Sequence, residues 1–273
     1  MNTLIENLHA EIDFNKFSHC EHAVTGISSC PQCCSRQYFY ENEIDYSCEQ
    51  KMKLYVLRYL PVHMSEVRYG IEKLGLHEVI NKESLNVLSL GGGPGSDIMG
   101  FRSVHRSHHM FKNIFKVEPY TAKIKYLKID INNKWDNLFQ RVINTEHNAK
   151  LNHVSEYYEC LYENATSIDI NIDIQDVILL SYIVSELTDV EAIDLSSNIK
   201  RWSNEKTIIL VNDRNQEAVI NRVDLMFKLL NAQKTGSFAT SGWARFSYPD
   251  EIRDSCEVKL NRSSMVSYAI GCP

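Results

Sequence analysis

The sequence lacks long hydrophobic runs and an excess of positive charge. No stretch approaches the roughly 20 apolar residues that a helix needs to cross a bilayer, so we expect no membrane span. The first residues, Met1 to Glu6, show neither the basic region nor the apolar run of a signal peptide, which predicts an intracellular, cytoplasmic protein. The formal charge of -6 at pH 7 argues against a surface coated with phosphate-binding lysines.

Glycine and proline are also sparse, with 11 and 6 residues in a chain of 273. The sequence contains no internal repeat and no low-complexity segment. With 44% hydrophobic and 23% charged residues, the chain can bury one large core, or one core and a small appended module. We therefore expect a globular protein.

From Leu85 onward, short apolar strands alternate with helical patterns. Residues 85–90 are almost continuously apolar, as strands inside a parallel sheet are. The last two predicted strands, near 256–260 and 264–270, leave no room for a crossover helix, so they predict an antiparallel hairpin. The pattern predicts an α/β fold with a doubly wound, mostly parallel seven-stranded sheet that ends in this hairpin.

A glycine-rich loop, Gly91-Gly92-Gly93-Pro94-Gly95, directly follows the first strand. Its glycines allow a ligand to approach the main chain closely, and the helix that begins near Ser96 offers free N–H groups. A tight structural turn is the alternative. No Gly-Lys-Ser/Thr follows the loop, and Asp97 would repel a pyrophosphate more than a sulfonium cofactor that has no phosphate. These features disfavour NAD and ATP.

With the acidic end of the second strand and the predicted hairpin, this loop resembles the class I S-adenosylmethionine-dependent methyltransferases over residues 85–272. The resemblance implies that S-adenosylmethionine is the cofactor and that its ribose hydroxyls bind an acidic residue at the end of the second strand. Asp130 fits that position best, with Glu118 as the alternative. The other cofactor-binding residues implied by the resemblance are Gly91, Gly92, Gly93 and Gly95 for the amino-acid part, Asn164 in the turn near adenine, and Ser181.

The fourth strand ends in Ser181-Tyr182-Ile183-Val184-Ser185-Glu186-Leu187, which is similar to the Rsm22-like branch associated with ribosomal RNA or ribosome assembly. It is neither the Asn-Pro-Pro-Tyr of base amino-group methylation nor a Pro-Cys nucleophile motif. We predict that Tyr182 positions the acceptor and that Glu186 acts as a base. Packing is the alternative for Tyr182, and helix capping or a surface salt bridge is the alternative for Glu186.

Ser89 departs from the family pattern, because many members carry an acid two residues before the first loop glycine. This departure predicts a weakened anchor for the amino group of the cofactor. A non-catalytic interaction or assembly factor with the same fold is therefore the alternative from a different functional class.

Cysteines crowd the first fifth of the sequence, at positions 20, 30, 33, 34 and 48. Thiolate and imidazole are the ligands that zinc selects, and His19-Cys20-Glu21-His22 precedes Cys30-Pro31-Gln32-Cys33-Cys34. This predicts a zinc site made of Cys20, His22, Cys30 and Cys33, with His19, Cys34 and Cys48 as substitutes. An iron–sulfur cluster is less favoured, and a set of reduced structural thiols is the alternative.

The sequence thus predicts three regions: a Cys/His metal-binding module (1–48), a helical cap broken at Pro61 (49–84) and a methyltransferase domain (85–273). Residues 101–128 carry seven Lys and Arg, which favours RNA or a ribonucleoprotein as partner. A solvated helix face is the alternative reading of this basic segment. Protein side chains and small molecules stay open as methyl acceptors.

Overall fold

The computed structural model describes residues 1–14, 29–34, 48–76, 82–115, 122–145, 154–244 and 246–271, with the side chains of 109–115 left out. None of the helices in these ranges is both long and apolar enough to cross a bilayer. The main elements are α1 (Asn2–Ala10), α2 (Glu49–Lys73), β1 (Ser84–Leu90), α3 (Ser96–Phe115), β2 (Ala122–Ile129), α4 (Asp136–Asn144), β3 (Val154–Leu161), β4 (Val177–Ser181), α5 (Asp189–Arg201), β5 (Ile208–Arg214), α6 (Glu217–Leu229), β6 (Gln233–Ala239), α7 (Asp250–Cys256) and β7 (Ser264–Ile270).

The strands form one seven-stranded sheet in the order β3-β2-β1-β4-β5-β7-β6. Strands β1 to β5 are parallel, and β7 runs antiparallel to both β5 and β6. The predicted fold class is confirmed. The strand order reverses between β1 and β4, and in such sheets ligands bind outside the carboxyl ends of the strands at this switch point.

Helices cover both faces of the sheet, so alternate residues of each central strand enter different clusters. On β1, Val87 packs with residues of α1 to α4, whereas Leu88 packs with α5 and α6. Leu8 of α1 and Cys34 belong to the same cluster as Val87. The described N-terminal residues therefore share the core of the sheet.

Helix α2 runs through Pro61 without interruption, so the predicted break at this residue is wrong. Proline lacks the N–H that would bond to the carbonyl of Leu57, four residues earlier. The hydroxyl of Tyr248 donates to that carbonyl at 2.7 Å. A residue 191 positions away thus supplies the donor that the helix cannot.

The terminal antiparallel pair exists, but its first strand was placed wrongly. The partner of β7 is β6, and the predicted strand at 256–260 begins instead with the last residue of α7. Val258 and Leu260 pack against the core as an extended connection, and Lys259 N–H bonds to the carbonyl of Arg58. Strand β6 lies at the sheet edge and is mostly exposed and polar, so it has no apolar alternation to reveal it.

Candidate active site

The glycine loop lies between β1 and α3, at the carboxyl end of the sheet. Gly91 and Gly95 both have positive φ angles, of 62° and 86°, a region that side chains disfavour. A Cβ on Gly91 would lie 2.7 Å from Ile183, and one on Gly95 would lie 2.8 Å from Phe139. The path of the loop therefore requires glycine at both positions.

Asp130, directly after β2, holds the loop in place. Its Oδ2 accepts a hydrogen bond from Gly93 N–H at 2.7 Å, and its Oδ1 accepts from Asn132 N–H at 2.9 Å. Burial raises the pKa of this carboxyl group, while the two N–H donors oppose the rise. A carboxylate has about four lone-pair sites, so the group retains acceptor capacity for a ligand. The alternative acid, Glu118, lies outside the described residues.

A buried polar layer supports the loop from below. Ser89, two residues before the loop, donates to Asp97 Oδ2 at 2.7 Å, and burial raises the pKa of Asp97 to about 6. Lys128, paired with Ser89 in the sheet register, donates to the carbonyl of Gly93 at 3.2 Å. Asp97 thus places an acidic group beside Ser89, beneath the loop. Gly92 faces this layer, since a Cβ there would lie 3.0 Å from Lys128 Cγ.

A cleft of about 250 Å³ opens above the loop, and we call it the cofactor cleft after the ligand that the sequence predicts. It brings together most of the predicted site residues: Gly91, Gly93, Asp130, Asn164, Ser181, Tyr182 and Glu186. Gly92 and Gly95 shape the loop from outside this lining. The sequence analysis did not identify three other residues of this lining, Tyr55, Ile131 and Trp135. Ile131 is 73% exposed although apolar, and its place next to Asp130 was the available signal.

The predicted adenine turn after β3 is held by one of its own side chains and by one from α5. Asn164 Oδ1 accepts from Thr166 N–H at 3.0 Å, and Asn198 Nδ2 donates to the carbonyl of Ala165 at 2.9 Å. The turn is therefore preformed at the wall of the cofactor cleft.

The lining of the cofactor cleft is acidic. Four acidic side chains line it: Asp130, Glu163, Glu186 and Glu191. No lysine, arginine or histidine occurs among the described residues of its wall. An anionic wall repels phosphates and attracts a cation.

Tyr182, the residue after β4, adopts a strained conformation with φ 57°, of a kind that often marks functional sites. Its hydroxyl donates to Glu66 Oε2 at 2.8 Å, and Glu66 Oε1 accepts from Ser263 N–H at 2.9 Å. Its ring stacks on His63 with 4.0 Å between centroids. Burial and the neighbouring Glu66 raise the pKa of Tyr182 well above its usual value, so the hydroxyl keeps its proton.

Glu186 lies in the 3-10 turn 184–186 after β4. Its side chain is exposed to the open space of the clefts, and protein encloses it on the other sides. This enclosure, together with the acidic group of Asp213, raises the pKa of Glu186 to about 7, and Arg214 opposes the rise. A base with this pKa exchanges protons readily at neutral pH.

A second cavity, of about 380 Å³, adjoins the cofactor cleft. Tyr55, Tyr182 and Glu186 line both spaces. The remaining wall of the second cavity consists of Tyr59, His63, Arg214, Asn215, Gln216, Lys259 and Ser263. Tyr182 and Glu186 therefore lie at the junction where a group could pass from one ligand to another.

The predicted zinc site is only partly within the described residues, since Cys20 and His22 lie outside them. The described part of the chain contains no group of three or more metal-ligating side chains. Cys30 and Cys34 are buried in the hydrophobic core, and burial raises the pKa of the Cys34 thiol to about 11. Cys34 also has a hydrogen bond with Arg58, so this thiol has a place in the fold without a metal, and the zinc site stays a prediction.

Four cations of the basic segment have partners within the fold, and the side chains of Lys112 and Lys116 lie outside the described part of the chain. Arg102 and Arg106 pair with Glu156 beneath the surface, Lys128 is buried under the glycine loop, and Lys125 pairs with Glu159. These cations serve the fold, and RNA binding stays a prediction.

No protein-family profile matches the chain, and no curated protein matches it. Solved structures with a similar fold include an S-adenosylmethionine-dependent methyltransferase from Methanosarcina mazei, with 12% identity, 70% of this chain and 93% of that chain covered, and a TM-score of 0.47. Magnesium protoporphyrin IX methyltransferase from Synechocystis, solved with S-adenosylmethionine bound, has 12% identity, coverage of 87% and 89%, and a TM-score of 0.46. The N-methyltransferase NodS from Bradyrhizobium japonicum has 10% identity, coverage of 76% and 94%, and a TM-score of 0.43. At these identities the likeness concerns the fold alone.

Proposed function

We propose that the protein is an S-adenosylmethionine-dependent methyltransferase. The observation that carries the proposal is the acidic cofactor cleft at the switch point of the sheet. NAD and ATP carry phosphates, which four acidic side chains repel. S-adenosylmethionine carries a sulfonium and an ammonium group and no phosphate, so its charge complements this wall.

The residues of the cofactor cleft fit such a ligand. Asp130 can accept from the ribose hydroxyls while it holds Gly93. The loop backbone at Gly91 and Gly93 lines the place for the amino-acid part, and the preformed turn at Asn164 lines the place for the adenine. Ile131 offers an exposed apolar side chain that a ring could cover.

The chemistry requires alignment and removal of one proton. When bound, S-adenosylmethionine would supply an electrophilic methyl group for a lone pair of the acceptor, with its sulfur as the leaving group that keeps the electrons of the carbon–sulfur bond. The ionised form of Glu186 takes the proton that the acceptor loses, and later releases it to water. Tyr182, held by Glu66 and His63, fixes the wall against which the acceptor lies. Such positioning lowers the entropic part of the barrier.

The nature of the acceptor is a separate part of the proposal. RNA or a ribonucleoprotein is our first candidate partner, because the end of β4 resembles the Rsm22-like branch. A small-molecule acceptor is favoured by a different observation, the second cavity of about 380 Å³, a volume in the range of small-molecule sites.

Calorimetric titration tests the cofactor. We expect S-adenosylmethionine and S-adenosylhomocysteine to bind with a dissociation constant below about 1 mM, the upper end of ordinary enzyme–substrate constants, and NAD to bind far more weakly. Asp130→Asn should weaken S-adenosylmethionine binding by about tenfold or more, the value of a lost charge-assisted hydrogen bond. Asp224→Asn, on the outer face of α6 where Asp224 pairs with Lys234, is the matched control. Preferential binding of NAD, or no binding of either adenosyl ligand, would contradict the proposal.

A further inference from the structure

The second cavity differs in charge from the cofactor cleft. Arg214, the last residue of β5, and Lys259, in the connection between α7 and β7, both line it. Within the described part of the chain, neither forms an ion pair, although most other arginines there do. Two cations from separate elements thus meet at one cavity with Glu186 as the acidic group of its wall.

Planar side chains form another part of the wall. The Tyr59 ring stacks on His63 with 5.6 Å between centroids, and His63 stacks on Tyr182 at 4.0 Å, both at 20° between planes. Lys259 Nζ lies 5.7 Å from the centroid of the Tyr182 ring. Burial and the positive charges of Lys259 and Arg214 lower the pKa of His63 well below its usual value, so His63 adds a neutral ring. Flat apolar walls suit a flat ligand.

We infer that the second cavity binds a planar aromatic compound that bears an anionic group, either phosphate or carboxylate. Arg214 and Lys259 bind the anion, and the stacked rings contact the aromatic part. This inference rests on the proposed function, because the bound compound is the methyl acceptor whose reacting atom lies toward Glu186 and Tyr182. A cationic methyl donor would then occupy an acidic cleft, and an anionic acceptor would occupy the basic cavity beside it.

Calorimetry without cofactor tests the cavity by itself. The probes are adenosine 5′-monophosphate and cytidine 5′-monophosphate against their nucleosides, 4-hydroxybenzoate against 4-hydroxybenzyl alcohol, and inorganic phosphate. At least one aromatic anion should bind about tenfold or more tightly than its uncharged counterpart, as expected for a charge-assisted contact. Nucleotide preference identifies a phosphate-bearing acceptor, and benzoate preference identifies an aromatic acid. Equal affinity for inorganic phosphate and the nucleotides would overturn the role of the rings.

Two substitutions assign the binding to the named cations. Arg214→Gln and Lys259→Gln should each weaken binding of the preferred anion by about tenfold, while Lys234→Gln on the outer surface should leave it unchanged. S-adenosylmethionine affinity, measured at about pH 8.5, above the pKa of about 7 of Glu186, should change less than about twofold. Unchanged anion binding in both cavity variants would overturn the inference about the second cavity and leave the methyltransferase proposal standing. The absence of anion binding in a protein that binds S-adenosylmethionine would have the same consequence. Anion binding without S-adenosylmethionine binding would refute the methyltransferase proposal and the acceptor role.

Discussion

The titration of Glu186 should make cofactor binding depend on pH near neutrality. Enclosure and Asp213 raise the pKa of this side chain to about 7. With that pKa, about a tenth of the molecules carry an ionised Glu186 at pH 6 and about nine tenths at pH 8. If the sulfonium requires the ionised form, S-adenosylmethionine affinity should rise by up to about tenfold between these pH values. The sign follows from charge, because the acid gains its negative charge as pH rises.

The assay is calorimetric titration at a series of pH values with S-adenosylmethionine and S-adenosylhomocysteine. Both ligands carry the same amino and carboxyl groups, and only the first carries the sulfonium charge. The ratio of their affinities therefore isolates the response of the protein to that charge. The pKa of Glu186 also depends on its charged neighbours Asp130, Asp213 and Arg214. The pH at the midpoint of the transition is therefore taken from the measured ratio of the two affinities.

Two matched variants separate Glu186 from the rest of the acidic wall. Glu186→Gln should abolish the pH dependence of the ratio. Hydrogen bonds from Thr188 lower the pKa of Glu191, so that side chain is ionised throughout the range. Glu191→Gln should preserve the fold, since glutamine can still cap the helix. It should lower the ratio of S-adenosylmethionine affinity to S-adenosylhomocysteine affinity at every pH and leave the pH dependence of this ratio unchanged. If the affinity ratio changed with pH equally in the wild type and in Glu186→Gln, the assignment of the pH dependence to Glu186 would be refuted.

Further predictions concern stability, measured by chemical denaturation, and metal content. Asn at position 130 offers one good acceptor to two N–H donors, so Asp130→Asn should lower the free energy of unfolding by about 1–3 kcal/mol. Gly95→Ala should cost about 2 kcal/mol more than Gly75→Ala, because both have positive φ but a Cβ on Gly75 meets nothing within 4 Å. Tyr248→Phe should lower the free energy of unfolding by about 1 kcal/mol. The loss should be distinctly smaller in a Pro61→Ala background, where the N–H of residue 61 can bond to the Leu57 carbonyl. Equal losses in both backgrounds would contradict this account of α2. Metal analysis of the purified protein should find about one equivalent of zinc if the predicted N-terminal site forms, and less than about half an equivalent would count against it.

Local sequence determined the parts of this protein that depend on neighbouring residues. The apolar run of β1, the glycine loop after it and the acid after β2 are contiguous signals, and parallel strands bring their carboxyl ends to one edge. The cofactor cleft accordingly contains Gly91, Gly93, Asp130 and Glu186, as expected. Strand β6 escaped detection because an exposed edge strand requires no apolar alternation.

Tertiary structure decided the features that depend on residues far apart in the chain. In helix α2, the carbonyl that Pro61 leaves without its usual N–H partner accepts a hydrogen bond from the distant Tyr248. Tyr182 is held by Glu66, which lies 116 positions away. Arg214 and Lys259 share a cavity because β5 and the approach to β7 lie side by side. The contiguous signals of the sequence determined where along the chain a ligand site could form. Charges and hydrogen bonds act through space over a few ångströms, so only the fold decided which charged groups surround that site.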